Sequence, residues 1–254
     1  MTPSRRSFVR TAALVGGALA TGAARPGLRP PAQDSESYRT VTMRASPGRL
    51  LELIELLREE RAHFRSVGDA PGLWMRHSQG DHWDLLMMYP LGASMGAWFA
   101  DARVAARRSG NGARLQTAVD DATAWREDVF VRGAPESVVR PRWEAAGLFH
   151  VEMFIALAGF REELLREREM ENDYLERTGR RANLIFVREA GAATDNFSVG
   201  FYRDLRHYAE GSSATPEEQE RAAVAAGFQG TAHIGPYMRE FVAEHHDTLA
   251  VAIP

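Results

Sequence analysis

The segment 244–247, Glu-His-His-Asp, holds the densest group of potential metal ligands and proton carriers in the chain. From Pro236 onward, residues recur at the spacing of one helix face, which predicts a helix followed by a final strand. The recurring residues are Met238, Phe241, Val242 and His245. An inward imidazole at His245 can ligate haem iron or another metal ion, or act as a general base tuned by Asp247. The alternative is a core imidazole bonded to a backbone carbonyl near the helix end.

A His-x-Glu pattern places two further ligands on a predicted strand. His150 and Glu152 share one face of that strand, about 7 Å apart, and imidazole with carboxylate suits borderline divalent metals. One pair does not complete a site, so the pattern alone predicts no bound metal. The alternative interpretation pairs Glu152 with Arg44 or Arg76 across packed sheets and leaves His150 at a sheet edge.

Aromatic and histidine side chains predict an apolar pocket in the first part of the chain. Trp74, His77 and Trp83 lie on a predicted β-hairpin, although Trp at strand spacing is also typical of a plain core. The candidate site combines these residues with the ligands described above. The predicted catalytic residues are His245, His63 and Asp247, and the predicted ligand pocket is formed by Trp74, His77, Trp83, His150, Glu152 and Tyr174.

The composition excludes several other classes of function. The chain has no cysteine, which rules out a disulfide framework, thiolate metal sites and a cysteine nucleophile. Its formal net charge of −3 argues against nucleic acid as a partner and against docking on an anionic membrane. The sequence contains no Gly-rich phosphate loop, no Gly-x-Ser-x-Gly and no His-Glu-x-x-His pattern. The predicted apolar pocket would hold a small apolar ligand.

A repeated unit organises the chain from residue 38 onward. The strand pattern of 38–45 recurs at 148–155, and each copy continues with a helix, two strands joined by a polar turn, further helix and a strand ending in proline. Segment 215–218 forms a capping box with Pro at the first helical position. Each copy therefore predicts a β-α-β-β-α-β, ferredoxin-like unit. Chance similarity between two α+β domains is the alternative.

The predicted fold class is α+β, with two tandem ferredoxin-like βαββαβ units. The first half spans 38–135, a connector 136–146 and the second half 147–254. Helices cover one face of each sheet, so the two halves are expected to bury their bare faces against each other. At an offset of 110 residues Val41 aligns with Val151, which places these two on one face and His150 on the other.

This tandem order resembles the dimeric α/β-barrel superfamily, which includes NIPSNAP-like proteins, antibiotic-biosynthesis monooxygenases and haem-handling enzymes. The resemblance covers about residues 38–254 and rests on architecture. It implies an intramolecular barrel and a small-molecule oxygenase-like or haem-handling enzyme with an apolar pocket, and haem is the cofactor it suggests. A non-catalytic periplasmic ligand-binding or protein-interaction module is the alternative, because one scaffold supports unrelated functions.

Residues 4–10, Ser-Arg-Arg-Ser-Phe-Val-Arg, resemble the twin-arginine export signal. The uncharged, Ala- and Gly-rich run of 11–24 that follows is shorter than the roughly 20 apolar residues of a membrane-spanning helix. An uncleaved anchor is the alternative. We predict a signal peptide at 1–24, a disordered spacer at 25–37 and export to the periplasm by the twin-arginine machinery, with no stable membrane insertion after cleavage.

Overall fold

The computed structural model describes residues 35–92 and 94–253, so the predicted signal peptide and residues 25–34 of the predicted spacer lie outside the described residues. The strands are β1 (Glu36–Ala45), β2 (Leu73–Gln79), β3 (Leu85–Gly92), β4 (Thr123–Gly133), β5 (Leu148–Ala156), β6 (Leu184–Gly191), β7 (Asn196–Tyr202) and β8 (Val242–Ala252). The helices are α1 (Leu50–Ser66), α2 (Met95–Trp98), α3 (Asp101–Arg108), α4 (Gly112–Ala122), α5 (Glu136–Glu144), α6 (Arg161–Arg177), α7 (Leu205–Ala209), α8 (Pro216–Ala226) and α9 (Ile234–Arg239). None of these helices is both long and apolar enough to span a bilayer.

The eight strands form one closed antiparallel barrel in the order β1-β3-β2-β8-β5-β7-β6-β4. The first half contributes β4-β1-β3-β2 and the second half contributes β8-β5-β7-β6. The halves are joined by the pairs β2–β8 and β4–β6. Because every strand has two neighbours, the barrel leaves no strand edge open for pairing with another chain. The prediction of an α+β fold built on an antiparallel sheet is confirmed.

Apolar side chains fill the inside of the barrel, where the two halves meet. Tyr38 of β1 is fully buried there, and its hydroxyl donates a hydrogen bond to the Ala134 carbonyl at 2.7 Å. Phe186 packs edge-on against Tyr38 and stacks on Phe197. This interior is a packed core that leaves the outer sheet faces, under the helices, as the places for a site.

The helices cover the outer face of each half. In the first half, α1 and α4 contribute Leu53, Leu57 and Val119 to a core with Val41 of β1. In the second half, α6 and α9 pack Leu164 and Met238 on Phe154 of β5, and α8 packs against α6 through a separate apolar cluster. The capping box predicted at 215–218 is present and begins α8.

The strand faces correct the predicted alignment of the halves. Val41 faces the helices, whereas Val151 lies inside the barrel, so the offset of 110 is wrong by one residue. The sheet register gives the same result, since Val41 lies opposite Asp128 while Glu152 lies opposite Asp247. A slip of one residue reverses the face of every side chain in a strand. At the corrected offset of 111, His150 and Glu152 face the helices.

Three element boundaries also differ from prediction. β1 begins at Glu36, inside the predicted spacer, and the predicted connector 136–146 is largely helix α5. The predicted helix running from Pro236 to His245 is wrong, because α9 ends at Arg239 and His245 lies in β8. Pairing of β8 with β5 over 149–156 draws this segment into the sheet, so residues 245 and 247 share a face through a period of two.

Gly80 and Gly191 lie at matching hairpin ends, and the backbone of each lies against the closing strand of the other half. Gly80 has a φ of 118°, and a Cβ there lies 2.0 Å from the Asp247 carbonyl oxygen. Gly191 has a φ of 106°, and its Cβ lies 2.4 Å from the Asp128 carbonyl oxygen. Both positions therefore require glycine for conformation and for space.

We expect Gly80→Ala to lower the free energy of unfolding by about 2–4 kcal/mol, because it combines positive-φ strain with a backbone clash. Gly48→Ala is the matched control, since Gly48 has a φ of 78° and no atom within 4 Å of its Cβ. Urea denaturation of both variants checks the difference. Equal losses for the two variants contradict the close approach of the hairpin to β8.

Candidate functional site

A cavity of about 380 Å³ lies between the sheet and the helices of the first half. Its floor is the outer face of β1, β3 and β4, and α1, α3 and α4 form its walls. The apolar and aromatic lining residues are Val41, Met43, Leu57, Phe64, Met87, Tyr89, Trp98, Phe99, Val104, Val119 and Phe130. The polar and charged lining residues are Arg39, Glu60, Arg107, Arg108, Gln116, Arg126 and Asp128. Such a cavity, apolar with a few convergent polar groups, is typical of a small-molecule site.

Two arginines fix one carboxylate on the cavity floor. Arg39 Nε lies 2.6 Å from Asp128 Oδ1, and Arg126 Nε lies 2.7 Å from Asp128 Oδ2. The Arg39 guanidinium also lies over the rings of Trp98 and Tyr89, at 5.3 and 5.8 Å from their centroids. The net charge of this group is positive, so the floor favours an anionic or electron-rich ligand.

Glu60 places a carboxyl group in the cavity with no hydrogen-bond or ion-pair partner among the described residues. Burial raises its pKa from 4.5 to about 7, Arg39 works against that rise, and Asp120 adds to it. A carboxyl group with a pKa near 7 ionises around neutral pH and is suited to proton abstraction from a bound ligand. Glu60 is therefore the candidate general base of this cavity.

The raised pKa of Glu60 also predicts how stability depends on pH. The folded protein binds the Glu60 proton more tightly than the unfolded chain does, so this contribution is complete below about pH 4.5 and is lost as pH rises through about 7. From pH 5 to pH 8 we expect the wild type to lose about 2 kcal/mol more free energy of unfolding than Glu60→Gln. Urea denaturation across this range checks it. Parallel curves for both proteins contradict the raised pKa.

Arg107 fixes the wall made by α2 and α3. The guanidinium stacks on Trp98 with 3.4 Å to the ring centroid, donates to the Trp98 carbonyl at 2.7 Å and pairs with Asp69 at 2.7 Å. The Arg107 carbonyl oxygen in turn lies 2.9 Å from His63 Nε2. His63, predicted as a catalytic residue, thus ties α1 to the end of α3 and does not line the cavity.

In the second half, the outer sheet face carries a polar cluster instead of an apolar floor. We name His150, Glu152, His245 and Asp247 the β5–β8 cluster. His150 Nε2 lies 2.9 Å from Asp247 Oδ1, and His245 Nε2 lies 3.6 Å from both Glu152 Oε1 and Asp247 Oδ2. The hydrogen bond from His150 lowers the pKa of Asp247. The structure therefore brings together four residues predicted as parts of a site.

The sheet register shows which first-half residues the β5–β8 cluster replaces. Glu152 and Asp247 face each other as Val41 and Asp128 do. By the same register, His150 stands where the first half has Arg39, and His245 stands where it has Arg126. Only the aspartate is common to both halves. One half thus surrounds its aspartate with guanidinium groups, and the other with imidazoles and a second carboxylate.

The remaining predicted pocket residues lie apart from one another. Trp74 is buried under α1 with Arg61 over its ring at 4.3 Å. Trp83 lies inside the barrel in ring contact with His77. Tyr174 is on the α6 face that packs against α8, with its hydroxyl 3.5 Å from Gln219 Oε1. These side chains form no common pocket.

Neither half offers a fit for haem. His63 Nε2 is bonded to a backbone carbonyl, and His245 stacks on Phe154 with its Nε2 beside two carboxylates. No histidine lines the first-half cavity. The space between sheet and helices around Glu152 is occupied by Arg168 and its carboxylate partners. The described residues therefore provide no imidazole aimed at a cavity that holds a macrocycle.

Comparison with known proteins shows the fold. No protein-family profile and no curated protein sequence matches the chain. Among solved structures, an anthrone oxidase-like protein is 11% identical over 88% of this chain and 93% of its own, with a TM-score of 0.55. A haem-binding protein from Thermus thermophilus is also 11% identical, over 87% and 92% of the two chains, with a TM-score of 0.42. The chain has the fold of the dimeric α/β-barrel proteins.

Proposed function

We propose that this protein is an oxygenase-like enzyme that acts on a small aromatic molecule in the first-half cavity. The observation that carries the proposal is Glu60, an unpaired carboxyl group with a pKa of about 7 that lines an apolar, aromatic cavity of about 380 Å³. A base in such a space is placed to remove a proton from a bound aromatic substrate.

The lining favours a planar polycyclic substrate that becomes anionic. Trp98, Phe99 and Phe130 offer aromatic contact area, and Met43 and Met87 line the sheet side. One solved structure of similar fold, with a TM-score of 0.55, is described as anthrone oxidase-like. Anthrone is a flat tricycle with an acidic CH₂ group, which matches this lining in shape and in chemistry.

The proposed reaction balances with molecular oxygen as the oxidant. Glu60 takes one proton from the CH₂ carbon, and the resulting carbanion is delocalised onto the ketone oxygen. This carbon is oxidised by O₂ and forms a C–O bond with it, and the O–O bond then breaks. One oxygen atom becomes the new carbonyl oxygen, the other leaves as water with both hydrogens of the CH₂ group, and Glu60 returns to its ionised form. Arg39 lies on the cavity floor and stabilises the substrate anion by its charge.

The test is oxygen uptake by the purified mature protein with anthrone, followed with an oxygen electrode, together with titration of anthrone by intrinsic tryptophan fluorescence, since Trp98 lines the cavity. We expect saturable binding, uptake above the spontaneous rate, and formation of anthraquinone. Absence of both binding and uptake for anthrone and for its hydroxylated relatives contradicts the proposal. Binding without uptake supports the alternative of a non-catalytic ligand-binding module and equally rejects the enzyme.

We also propose that the two halves are tandem ferredoxin-like units that arose by duplication. Support comes from the matching order of elements, from the strand register and from the paired hairpin glycines Gly80 and Gly191. The aspartates Asp128 and Asp247 occupy the same register position in each half. On this proposal the second half exchanged a substrate cavity for the polar β5–β8 cluster.

Export by the twin-arginine route is a further part of the proposal, supported by the sequence of residues 4–10. We expect the double substitution of Arg5 and Arg6 by Lys to keep the precursor in the cytoplasm, because the pattern needs both arginines and not only their charge. Fractionation and immunoblotting in a bacterial host check this. Arg10→Lys, which keeps the pattern, is the control. Unchanged export of the double variant rejects the route.

A further inference from the structure

We propose that the β5–β8 cluster is a binding site for one divalent transition-metal ion of the borderline class, with Zn²⁺ as its representative. Two neighbouring antiparallel strands each present two ligands on one face, His150 with Glu152 and His245 with Asp247. The donor set of two imidazoles and two carboxylates is the set that zinc and divalent iron, cobalt or nickel accept in proteins. Asp247 is 56% exposed, which gives an ion a route from solvent.

The distances between donor atoms fit a shared ion. Ligands at 2.0–2.2 Å from one tetrahedral metal lie about 3.4 Å apart. His245 Nε2 is 3.6 Å from Glu152 Oε1 and 3.6 Å from Asp247 Oδ2. The candidate donor atoms of His150, Glu152 and Asp247 all lie within 4.8 Å of one another. The 2.9 Å contact of His150 with Asp247 has to lengthen by about half an ångström to admit the ion.

Two further contacts hold the Glu152 carboxylate and the His245 ring in fixed orientations. Ser198 Oγ donates to Glu152 Oε2 at 2.8 Å, which fixes the carboxylate and leaves Oε1 towards His245. His245 Nε2 is buried and has no hydrogen-bond partner among the described residues. Its ring is held by parallel stacking on Phe154 at 4.6 Å. A fixed ring with an unsatisfied nitrogen beside two carboxylate oxygens is a ligand arrangement that a cation completes.

The carboxylates around the site outnumber the nearby guanidinium groups, which favours binding of a cation. Arg168 is the guanidinium closest to Glu152, and it already pairs with Glu167 at 2.6 Å and with Glu171 at 2.5 Å. Its contact with Glu152 is longer, at 3.6 Å. The positive charge of Arg180 also lowers the pKa of Glu171, but less than that of Arg168 does. Four carboxylates, those of the cluster and those of α6, thus share one close guanidinium.

The first half shows what happens where the aspartate has guanidinium partners. There Asp128 is neutralised by Arg39 and Arg126, at 2.6 and 2.7 Å, and a valine replaces the glutamate. The second half has lost both of these fixed cations and gained a carboxylate. Replacement of arginine by histidine exchanges a permanent positive charge for a metal ligand. The divalent ion takes the place of the two guanidinium groups.

The experiment titrates Zn²⁺ and Co²⁺ into the chelator-treated mature protein by calorimetry, with the visible absorption of Co²⁺ as a second readout. We expect one ion per chain and nitrogen–oxygen ligand-field bands. His150→Gln and His245→Gln are expected to weaken binding by at least about 100-fold, and Ser198→Ala by about 10-fold. His82→Gln is the matched control, because His82 contacts a carboxylate in the β2–β3 turn outside the cluster.

Three outcomes overturn the proposal. The first is that no metal binds at concentrations that would saturate a site of micromolar affinity. The second is that the His150 and His245 variants bind the metal as tightly as the wild type does. The third is that only His82→Gln loses metal binding. Circular dichroism and thermal unfolding of each variant confirm that it is folded, and Zn²⁺ is expected to raise the wild-type midpoint but not that of His245→Gln. Oxygen uptake with anthrone is a separate measurement, so either proposal stands or fails alone.

Discussion

Glu60→Gln is expected to lower the rate of oxygen uptake with anthrone by about 100- to 10,000-fold, the usual contribution of a general base. The amide keeps the size of the side chain but accepts no proton at neutral pH. In the wild type the rate is expected to rise with pH to a plateau above about 7, because only the ionised Glu60 carboxylate acts as base. The rate of the Glu60→Gln variant is expected not to rise with pH in this range. Steady-state rates from pH 5 to pH 9 check both statements.

Glu59→Gln is the matched control for this substitution. Glu59 is the preceding residue on α1, 59% exposed and loosely paired with Arg114 at 3.8 Å. Its loss removes the same charge from the same helix without touching the cavity. We expect its rate and pH profile to equal those of the wild type. A Glu60→Gln variant as active as Glu59→Gln rejects Glu60 as the base.

Arg39→Met has the second largest expected effect. Removing a preorganised positive group beside a developing anion costs about 100- to 1,000-fold in rate. Because the charge of Arg39 holds the pKa of Glu60 down, its loss is also expected to move the acidic limb of the pH profile to higher pH. Asp128 keeps Arg126 as a partner, so the variant is expected to fold. Stopped-flow oxygen uptake at several pH values measures both effects.

The shift of the pH profile separates a role in the reaction from a structural role. Arg132→Met serves as the control, because Arg132 pairs with Glu189 at 2.8 Å on β4 and does not line the cavity. We expect it to change neither the rate nor the acidic limb. A lower rate for Arg39→Met with an unmoved limb shows that the guanidinium only supports the local packing, and that result rejects its proposed contribution.

The order of elements could be predicted from the sequence because strands and helices alternate with clear periods and the two copies support each other. The offset between copies could not be fixed to one residue, since Val41, Val151 and Met153 are equally apolar and either face of a buried strand accepts them. The barrel interior and the helix-covered face are both dry. Only pairing across the whole sheet decides which side chains enter which layer.

The β5–β8 cluster was partly visible in the sequence through His150, Glu152, His245 and Asp247. Their proximity could not be read from spacing, because it depends on the register of β5 with β8, which are almost 100 residues apart. The helical spacing of segment 238–245 predicts a helix that contains His245, which is wrong. The short α9 and the early start of β8 reflect sheet pairing that overrides the local pattern.

Glu60 is not among the predicted site residues, although the sequence carries a signal for it. Leu53, Leu57 and Glu60 follow the i, i+4, i+7 spacing of the buried face of α1, so a carboxylate interrupts an apolar stripe. The same position in α6 is Glu171, whose pKa is also raised by burial. A charged residue at an inward helical position is rare without a partner or a function. A charged residue at the inward helical position of both copies therefore marks Glu60 as a candidate functional residue.

The two halves differ in what lies between the sheet and the helices. One helix-covered face has an apolar cavity with a free carboxyl group, and the other is filled by Arg168 and the carboxyl groups around it. Each arrangement suits one task, binding an apolar molecule or binding an ion. The barrel core between them is packed with aromatic residues, so it serves as a rigid support for both.

Oxygen uptake by Val104→Trp tests the assignment of the cavity most directly. Val104 lies on α3, lines the cavity and is partly exposed, so an indole there fills the cavity without disturbing the sheet. Val224→Trp, on α8 at a 55% exposed position, adds the same side chain elsewhere. We predict that Val104→Trp loses anthrone binding and uptake while Val224→Trp retains both. Full activity in a folded Val104→Trp protein contradicts the placement of the reaction in this cavity.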